Sequence, residues 1–206
     1  MLYVSKHPLV MQKLSKLRDL NTKTYEFRKN MEELAMLLGY ELTADFPVKE
    51  VRVKTPIAVS TSYVISKDIV IVAVLRAGLA LMEGLSKIIP DAKLAHIGLY
   101  RDEETLKPVK YYLRFPDDLK DSIVVIVDPM LATGGSAVEA VNIVKSREAK
   151  NIYFMSAISS RMGIDVLRKH HPDIKIFTAA VDEKINDKGY IVPGLGDAGD
   201  RMFGTD

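Results

Sequence analysis

Four short runs constrain this chain more than any other feature: IVIVAVL at 69–75, SIVVIVD at 122–128, NIYFMSAI at 151–158 and IKIFTAA at 174–180. Each is dense in β-branched and aliphatic residues, and none alternates with polar ones. A strand with one face in water alternates. A strand buried on both faces does not, and such strands belong to parallel sheets covered by helices. Helical patterns lie between the runs: Leu79, Met82, Leu85 and Ile88, then Val138, Val141 and Val144, then Ile164, Val166 and Leu167. This alternation predicts right-handed βαβ crossovers and an α/β fold, a mostly parallel central sheet flanked by helices. Ligands of such sheets bind beyond the carboxyl ends of the strands. Attention therefore falls on the loops at 76–78, 128–136 and 182–200.

Before the first run, Val10, Met11, Leu14 and Leu17 sit at helical spacing after His7–Pro8. Phe27, Met31, Leu34, Ala35 and Leu38 form a second stripe, which Gly39 is expected to end as a C-cap. Two helices should thus open the chain. No repeat or linker is visible, and 206 residues suit one domain, 1–206, at about 150 residues per domain. Twenty-nine Lys and Arg against twenty-seven Asp and Glu leave a net charge of +2. That balance argues against a dedicated nucleic-acid or membrane-surface binder. The chain has no cysteine, which removes disulfides, thiolate metal sites and cysteine nucleophiles. Its apolar runs are too short to cross a bilayer, and MLYVSKHPLVMQKL lacks the apolar core of a signal peptide. A cytoplasmic enzyme is the expectation.

The segment SIVVIVDPMLATGGSAVEAVNIV carries the most chemical information. A buried strand ends in Asp128, a short loop follows, and Thr133–Gly134–Gly135–Ser136 opens a helix. Glycines let backbone N–H groups converge, two hydroxyls add donors, and the helix N-terminus adds partial positive charge; together they suit a phosphate. Asp128 would repel a phosphate and is better suited to sugar hydroxyls or to a metal-linked group. The plainer reading is a βα turn with Ser136 as N-cap. The strand-end carboxylate and the flanking strand and helix favour the cradle. No lysine follows the glycines, so the Walker pattern is absent.

This arrangement resembles the phosphoribosyl diphosphate (PRPP) loop of the type I phosphoribosyltransferases, in which two adjacent acids usually precede a small-residue loop with Thr-Gly. Here Pro129 replaces the second acid, a departure from most purine and orotate members. DPMLATGGS is similar to the form of the loop in uracil phosphoribosyltransferases. VLRAG at 74–78, LYRDEETLKPVKYY at 99–112, GYIVPGLGDAGDRMFGT at 189–205 and the HPLV start resemble the same family, so the likeness covers nearly the whole chain.

The resemblance implies a type I phosphoribosyltransferase-like fold with a protruding arm near 101–114. It implies transfer of phosphoribose from PRPP to N1 of uracil, giving UMP and diphosphate, with Mg²⁺ carried by PRPP and no metal site on the protein. Asp128, Pro129, Met130, Leu131, Ala132, Thr133, Gly134, Gly135 and Ser136 would hold PRPP, with Asp128 on the ribose hydroxyls. Arg76, Ala77 and Gly78 would form a diphosphate clamp, with a non-proline cis peptide within Leu75–Ala77. Arg101 would reach PRPP from the charged arm. Backbone groups of Ile191, Gly196 and Ala198 would match the donor and acceptor face of uracil. Asp197 would contact PRPP or its metal, with a role in deprotonating N1 left open. Asp128, Arg76, Arg101 and Asp197 are the catalytic candidates.

Gly194, Gly196 and Gly199 spell GxGxxG, but only seven residues follow Gly199, so no dinucleotide-binding βαβ unit can form around them. The four histidines show no metal-ligand spacing. The family further implies a homodimer or homotetramer and, in some members, activation by GTP; Thr24–Arg28 is one place to look for it. Two rival readings are a purine-type transferase and an RNA-binding regulator on the same fold. The single acid before Pro129 opposes the first, and the near-neutral charge opposes the second.

Overall fold

The apolar runs become the middle of one sheet. A computed structural model describes residues 1–101 and 108–205. In chain order, strand β1 (Leu2–Val4) precedes helices α1 (Pro8–Arg18) and α2 (Thr24–Thr43). Strands β2 (Val48–Lys54) and β3 (Val59–Ile65) follow as an antiparallel ribbon. Next come β4 (Ile69–Leu75), α3 (Gly78–Ile88), β5 (Lys93–Arg101) and β6 (Pro108–Arg114). The second half runs β7 (Ile123–Val127), β8 (Met130–Leu131), α4 (Gly135–Lys145), β9 (Asn151–Ser160), α5 (Arg161–His170) and β10 (Lys175–Asp182). It closes with β11 (Lys184–Ile185), β12 (Ile191–Val192) and α6 (Ala198–Phe203).

The sheet order is β1-β10-β9-β7-β4-β5-β6, with β8 paired to β9. All of its pairings are parallel except β5 with β6, the antiparallel pair that forms the base of the arm. Because successive side chains of a strand point to opposite faces, each apolar run feeds two cores. Ile69, Ile71 and Ala73 of β4, with Ile123, Val125 and Val127 of β7, pack with Phe27, Met31, Leu34 and Leu81 of α2 and α3. Val70, Val72 and Val74, with Val124 and Ile126, pack with Ala140, Val141, Ile164 and Leu167 of α4 and α5. Two helical layers therefore demand apolar residues at every strand position, which explains the missing alternation.

Several expectations require correction. The chain opens on a strand, not a helix: β1 lies parallel to β10, with Leu2 opposite Ile176. Three residues give too little pattern for periodicity to detect. Met11 is exposed, so the buried stripe of α1 is Val10, Leu14 and Leu17. Gly39 is no C-cap, because α2 runs on to Thr43. A Cβ at Gly39 would lie 2.3 Å from Leu85 Cδ2, and one at Gly84 would lie 2.3 Å from the Glu32 carbonyl oxygen. Both glycines serve the close approach of α2 and α3. No sequence pattern announces the β2–β3 ribbon, because both of its strands are exposed at nearly every position. No helix among the described residues is long and apolar enough to cross a membrane.

Candidate active site at the carboxyl ends of β7 and β4

Beyond β7, the backbone N–H of Asp128 donates to the Met155 carbonyl at 3.1 Å. The Pro129 carbonyl accepts from Ala157 and Ile158 at 3.0 and 3.1 Å, and β8 continues the pairing with β9. The chain is thereby kept extended through Leu131 before it turns. Ser160 fixes the turn from below: its Oγ donates to the Ala132 carbonyl at 2.6 Å and accepts from Gly163 N at 2.8 Å, capping α5. Gly163 leaves room for this contact, since a Cβ there would lie 2.4 Å from the Ala132 oxygen. Gly134 then adopts φ +88°, a conformation that favours glycine. A Cβ on it would also sit 2.9 Å from Val166 Cβ.

Helix α4 starts at Gly135, and no side chain caps it. Ser136 is therefore not the N-cap; it is exposed on the first turn. The first N–H groups of any helix lack intrahelical acceptors and carry partial positive charge. A Cβ added to Gly135 would meet nothing within 4 Å, so open space lies beside this end of the helix.

The Asp128 carboxylate accepts from Met130 N at 3.3 Å, and burial pushes its pKa up to about 7. It lines a cavity of about 470 Å³ with Met130, Leu131, Ala132, Thr133, Gly134 and Ser136. The opposite wall comes from the far end of the chain: Lys188, Gly189, Tyr190 and Asp197. The fold thus brings Asp128 and Asp197 into one cavity. Lys188 and Tyr190 were not among the sequence candidates. A lone lysine in GYIVPGLGD-type surroundings carries no signal until the tertiary structure sets it across from the glycine loop.

Asp197 caps α6, accepting from Asp200 N at 3.0 Å. Around it the chain is irregular: β11 and β12 form a two-residue pairing, and Gly194 and Gly196 adopt φ of +60° and +78°. Ile191 and Ala198 are buried, and neither lines the cavity of Asp128.

The Leu75–Arg76 peptide bond is cis, within the stretch where one was expected. Gly78 opens α3, and a Cβ there would lie 2.5 Å from the Val127 carbonyl, so the 76–78 turn abuts the end of β7 next to Asp128. The Arg76 side chain points elsewhere: its guanidinium lies 5.3 Å from the Phe203 ring centroid and 4.0 Å from Asp200 Oδ1. Arg101 ends β5, opposite Pro108. Its side chain, and the arm tip at 102–107, lie outside the described residues.

A strand-end acid, a glycine loop opening a helix and a second turn beside it, on a mostly parallel sheet, form the arrangement that the resemblance to type I phosphoribosyltransferases implies. The fold superposes with a TM-score of 0.53 on a hypoxanthine phosphoribosyltransferase from Trypanosoma cruzi, at 11% identity, covering 77% of this chain and 76% of that one. A solved protein of Aquifex aeolicus gives a TM-score of 0.94 at 39% identity, with 98% of each chain covered. The family model described as uracil phosphoribosyltransferase matches residues 4–205. A uracil phosphoribosyltransferase of Bacillus licheniformis is 56% identical over 204 residues, 98% of each chain, and one of Dictyoglomus turgidum is 54% identical over 206 residues, 100% of each. The chain belongs to the uracil phosphoribosyltransferase family.

Proposed function

We propose that this chain transfers the phosphoribosyl group of PRPP to N1 of uracil, giving UMP and diphosphate, the step by which a free pyrimidine base is salvaged. The anomeric C–O bond to diphosphate breaks, the C–N1 bond forms on the opposite face, and the N1 proton leaves. Little covalent chemistry falls to the protein. Its tasks are to position two substrates and to stabilise charge as diphosphate departs.

The observation that carries this reading is the shared cavity of Asp128, the glycine loop and Asp197. The backbone from Ala132 through Ser136 holds the 5′-phosphate, with Pro129, Met130 and Leu131 setting its distance from the strand end. Asp128 binds the ribose hydroxyls as an anion. Arg76 is released from Phe203 and Asp200 to meet the diphosphate, with Ala77 and Gly78 letting backbone approach it. Arg101 reaches the same group from the arm. Ile191, Gly196 and Ala198 present backbone groups to uracil, and a base with an amino group in place of a carbonyl would leave one N–H unpaired, at about 1–3 kcal/mol. Lys188 joins the PRPP wall. Asp197 faces the reacting end of PRPP, where a carboxylate also suits the departing N1 proton.

Mg²⁺ arrives with PRPP in this scheme. Mg²⁺ takes readily to substrate phosphates. Working as one domain in the cytoplasm, the chain assembles as a homodimer or homotetramer. The β2–β3 ribbon supports this assembly by presenting Val48, Val53, Val59 and Tyr63 to solvent. GTP, if it activates, binds near Thr24–Arg28 at the start of α2.

The test is formation of UMP from uracil, PRPP and Mg²⁺, with and without GTP and against a panel of bases. Turnover with uracil and none with cytosine or hypoxanthine is expected. Turnover with a purine instead would overturn the proposal.

A further inference from the structure

The loop proposed to face uracil has almost no regular structure of its own, and a specific ion pair holds it from outside. Arg18, the last residue of α1, reaches Asp182 at the end of β10 in a two-pronged contact, Nη1 to Oδ2 at 2.8 Å and Nη2 to Oδ1 at 2.7 Å. Both partners then close on one residue of the loop. Arg18 Nη1 donates to the Gly194 carbonyl at 2.8 Å, and Gly194 N donates to Asp182 Oδ2 at 2.9 Å. The N–H and the C=O of Gly194 are thus both satisfied by the pair. Gly194 itself has φ +60°, and a Cβ there would lie 2.1 Å from the Ile191 carbonyl oxygen. The chain therefore folds back on Ile191 at the point where the pair grips it.

This grip sits between Ile191 on one side and Gly196 and Ala198 on the other. It fixes the spacing and direction of their backbone groups without touching the cavity. We propose that Arg18 and Asp182 are positioning residues for base recognition, acting on uracil through the two backbone groups of Gly194. The inference rests on the reading that this loop binds the base. Asp182 is buried and Arg18 largely so, as a rigid support requires. The planar guanidinium fork is suited to serve carboxylate and carbonyl together, whereas a lysine ammonium at the same place meets one of them well.

The full-length Arg18→Met, Arg18→Lys and Asp182→Asn variants test this, with Gly196→Ala as a control within the loop. Arg18→Met and Asp182→Asn are expected to raise KM for uracil about tenfold or more while KM for PRPP stays within about twofold, since a misplacement near 1 Å costs up to about a hundredfold. Arg18→Lys should recover part of the loss. Amide hydrogen exchange at Gly194 and Leu195 should speed up in the same order. A merely structural role would move both KM values together, or lower the active fraction with neither changed. Arg18→Lys and Asp182→Asn keep the side-chain volume, so the test survives if Arg18→Met does not fold. If KM for uracil is unchanged in these folded variants but rises in Gly196→Ala, the positioning role is overturned and the base-loop reading stands. If Gly196→Ala leaves it unchanged as well, both fall.

Discussion

The two loops that meet across the Asp128 cavity are built in opposite ways. The 128–136 loop is short and lies between a buried strand and a helix of consecutive residues. Its supports are backbone pairing with the adjacent β9, one glycine conformation and a single side-chain contact, from Ser160 at the end of β9 to the Ala132 carbonyl. The 186–198 loop has a two-residue strand pairing and three glycines at positive φ, and charged side chains hold it: Arg18 from the opposite end of the sequence, Asp182 and Arg201 from nearby in the chain. Arg18 grips Gly194, and Arg201 donates to the Leu195 carbonyl at 2.8 Å while reaching back to the Leu17 and Asp19 carbonyls and covering the Phe27 ring at 4.3 Å. In the proposed roles, the loop for a common phosphate is made mostly from regular elements and backbone donors, whereas the loop for one particular base has its backbone groups aimed individually by charged side chains.

The largest effect expected from breaking this contrast falls on the phosphate side. Asp128→Asn should lower kcat roughly 100- to 1,000-fold, as loss of a well-placed charged group does, while far-UV circular dichroism shows the fold retained. Next comes Gly163→Ala, which touches no substrate. It pushes on the Ala132 and Leu131 carbonyls, where a Cβ would lie 2.4 and 2.6 Å away. KM for PRPP should rise about tenfold with KM for uracil little changed, since the displaced groups are those of the cradle.

Arg201→Met supplies the mirror image on the base side. It removes charge-assisted bonds to three carbonyls, for a loss of about 2–3 kcal/mol and a thermal midpoint lower by roughly 5–10 °C. KM for uracil should rise and KM for PRPP should not.

Gly134→Ala and Gly135→Ala separate conformation from space within one loop. The first meets Val166 and a positive φ, and should cost about 1–3 kcal/mol of stability. The second should leave the thermal midpoint unchanged or slightly raised, and yet raise KM for PRPP by placing a methyl group beside the cradle.

A graded effect, read across pH rather than from a single variant, is the titration of Asp128. Its folded pKa, about 7, lies above the ordinary value near 3.9, so the folded state holds this proton more tightly than the unfolded one. Stability from this group therefore falls as pH rises from about 4 through about 7, and Asp128→Asn should flatten that slope in denaturant midpoints measured across the range. The ionised carboxylate is the form proposed to bind ribose, so kcat/KM for PRPP should rise through about pH 7 in the same window.

How much of this was legible in the sequence follows the same divide. The 128–136 loop could be read because a strand, a carboxylate, two glycines and a helix stand in consecutive order, and each leaves a local mark. The Gly39 expectation failed because a glycine that ends a helix and one that lets two helices touch look alike until the partner, Leu85, is known. The β2–β3 ribbon escaped because exposed strands carry no burial pattern. Lys188 and Tyr190 escaped because nothing next to them in the chain relates them to Asp128.

The sequence by itself determined the four adjacent apolar strands β10, β9, β7 and β4, the helices that cover them and the glycine turn that opens α4, since burial on two faces and helix initiation are dictated by residues close together in the chain. Only the tertiary structure decided that Asp197 and Lys188 close the cavity over Asp128, that Arg76 rests on Phe203 and Asp200, and that Arg18 and Asp182 hold Gly194 from the two ends of the chain. Such contacts depend on which distant side chains arrive at one place after the core has packed, and no local pattern of residues records that.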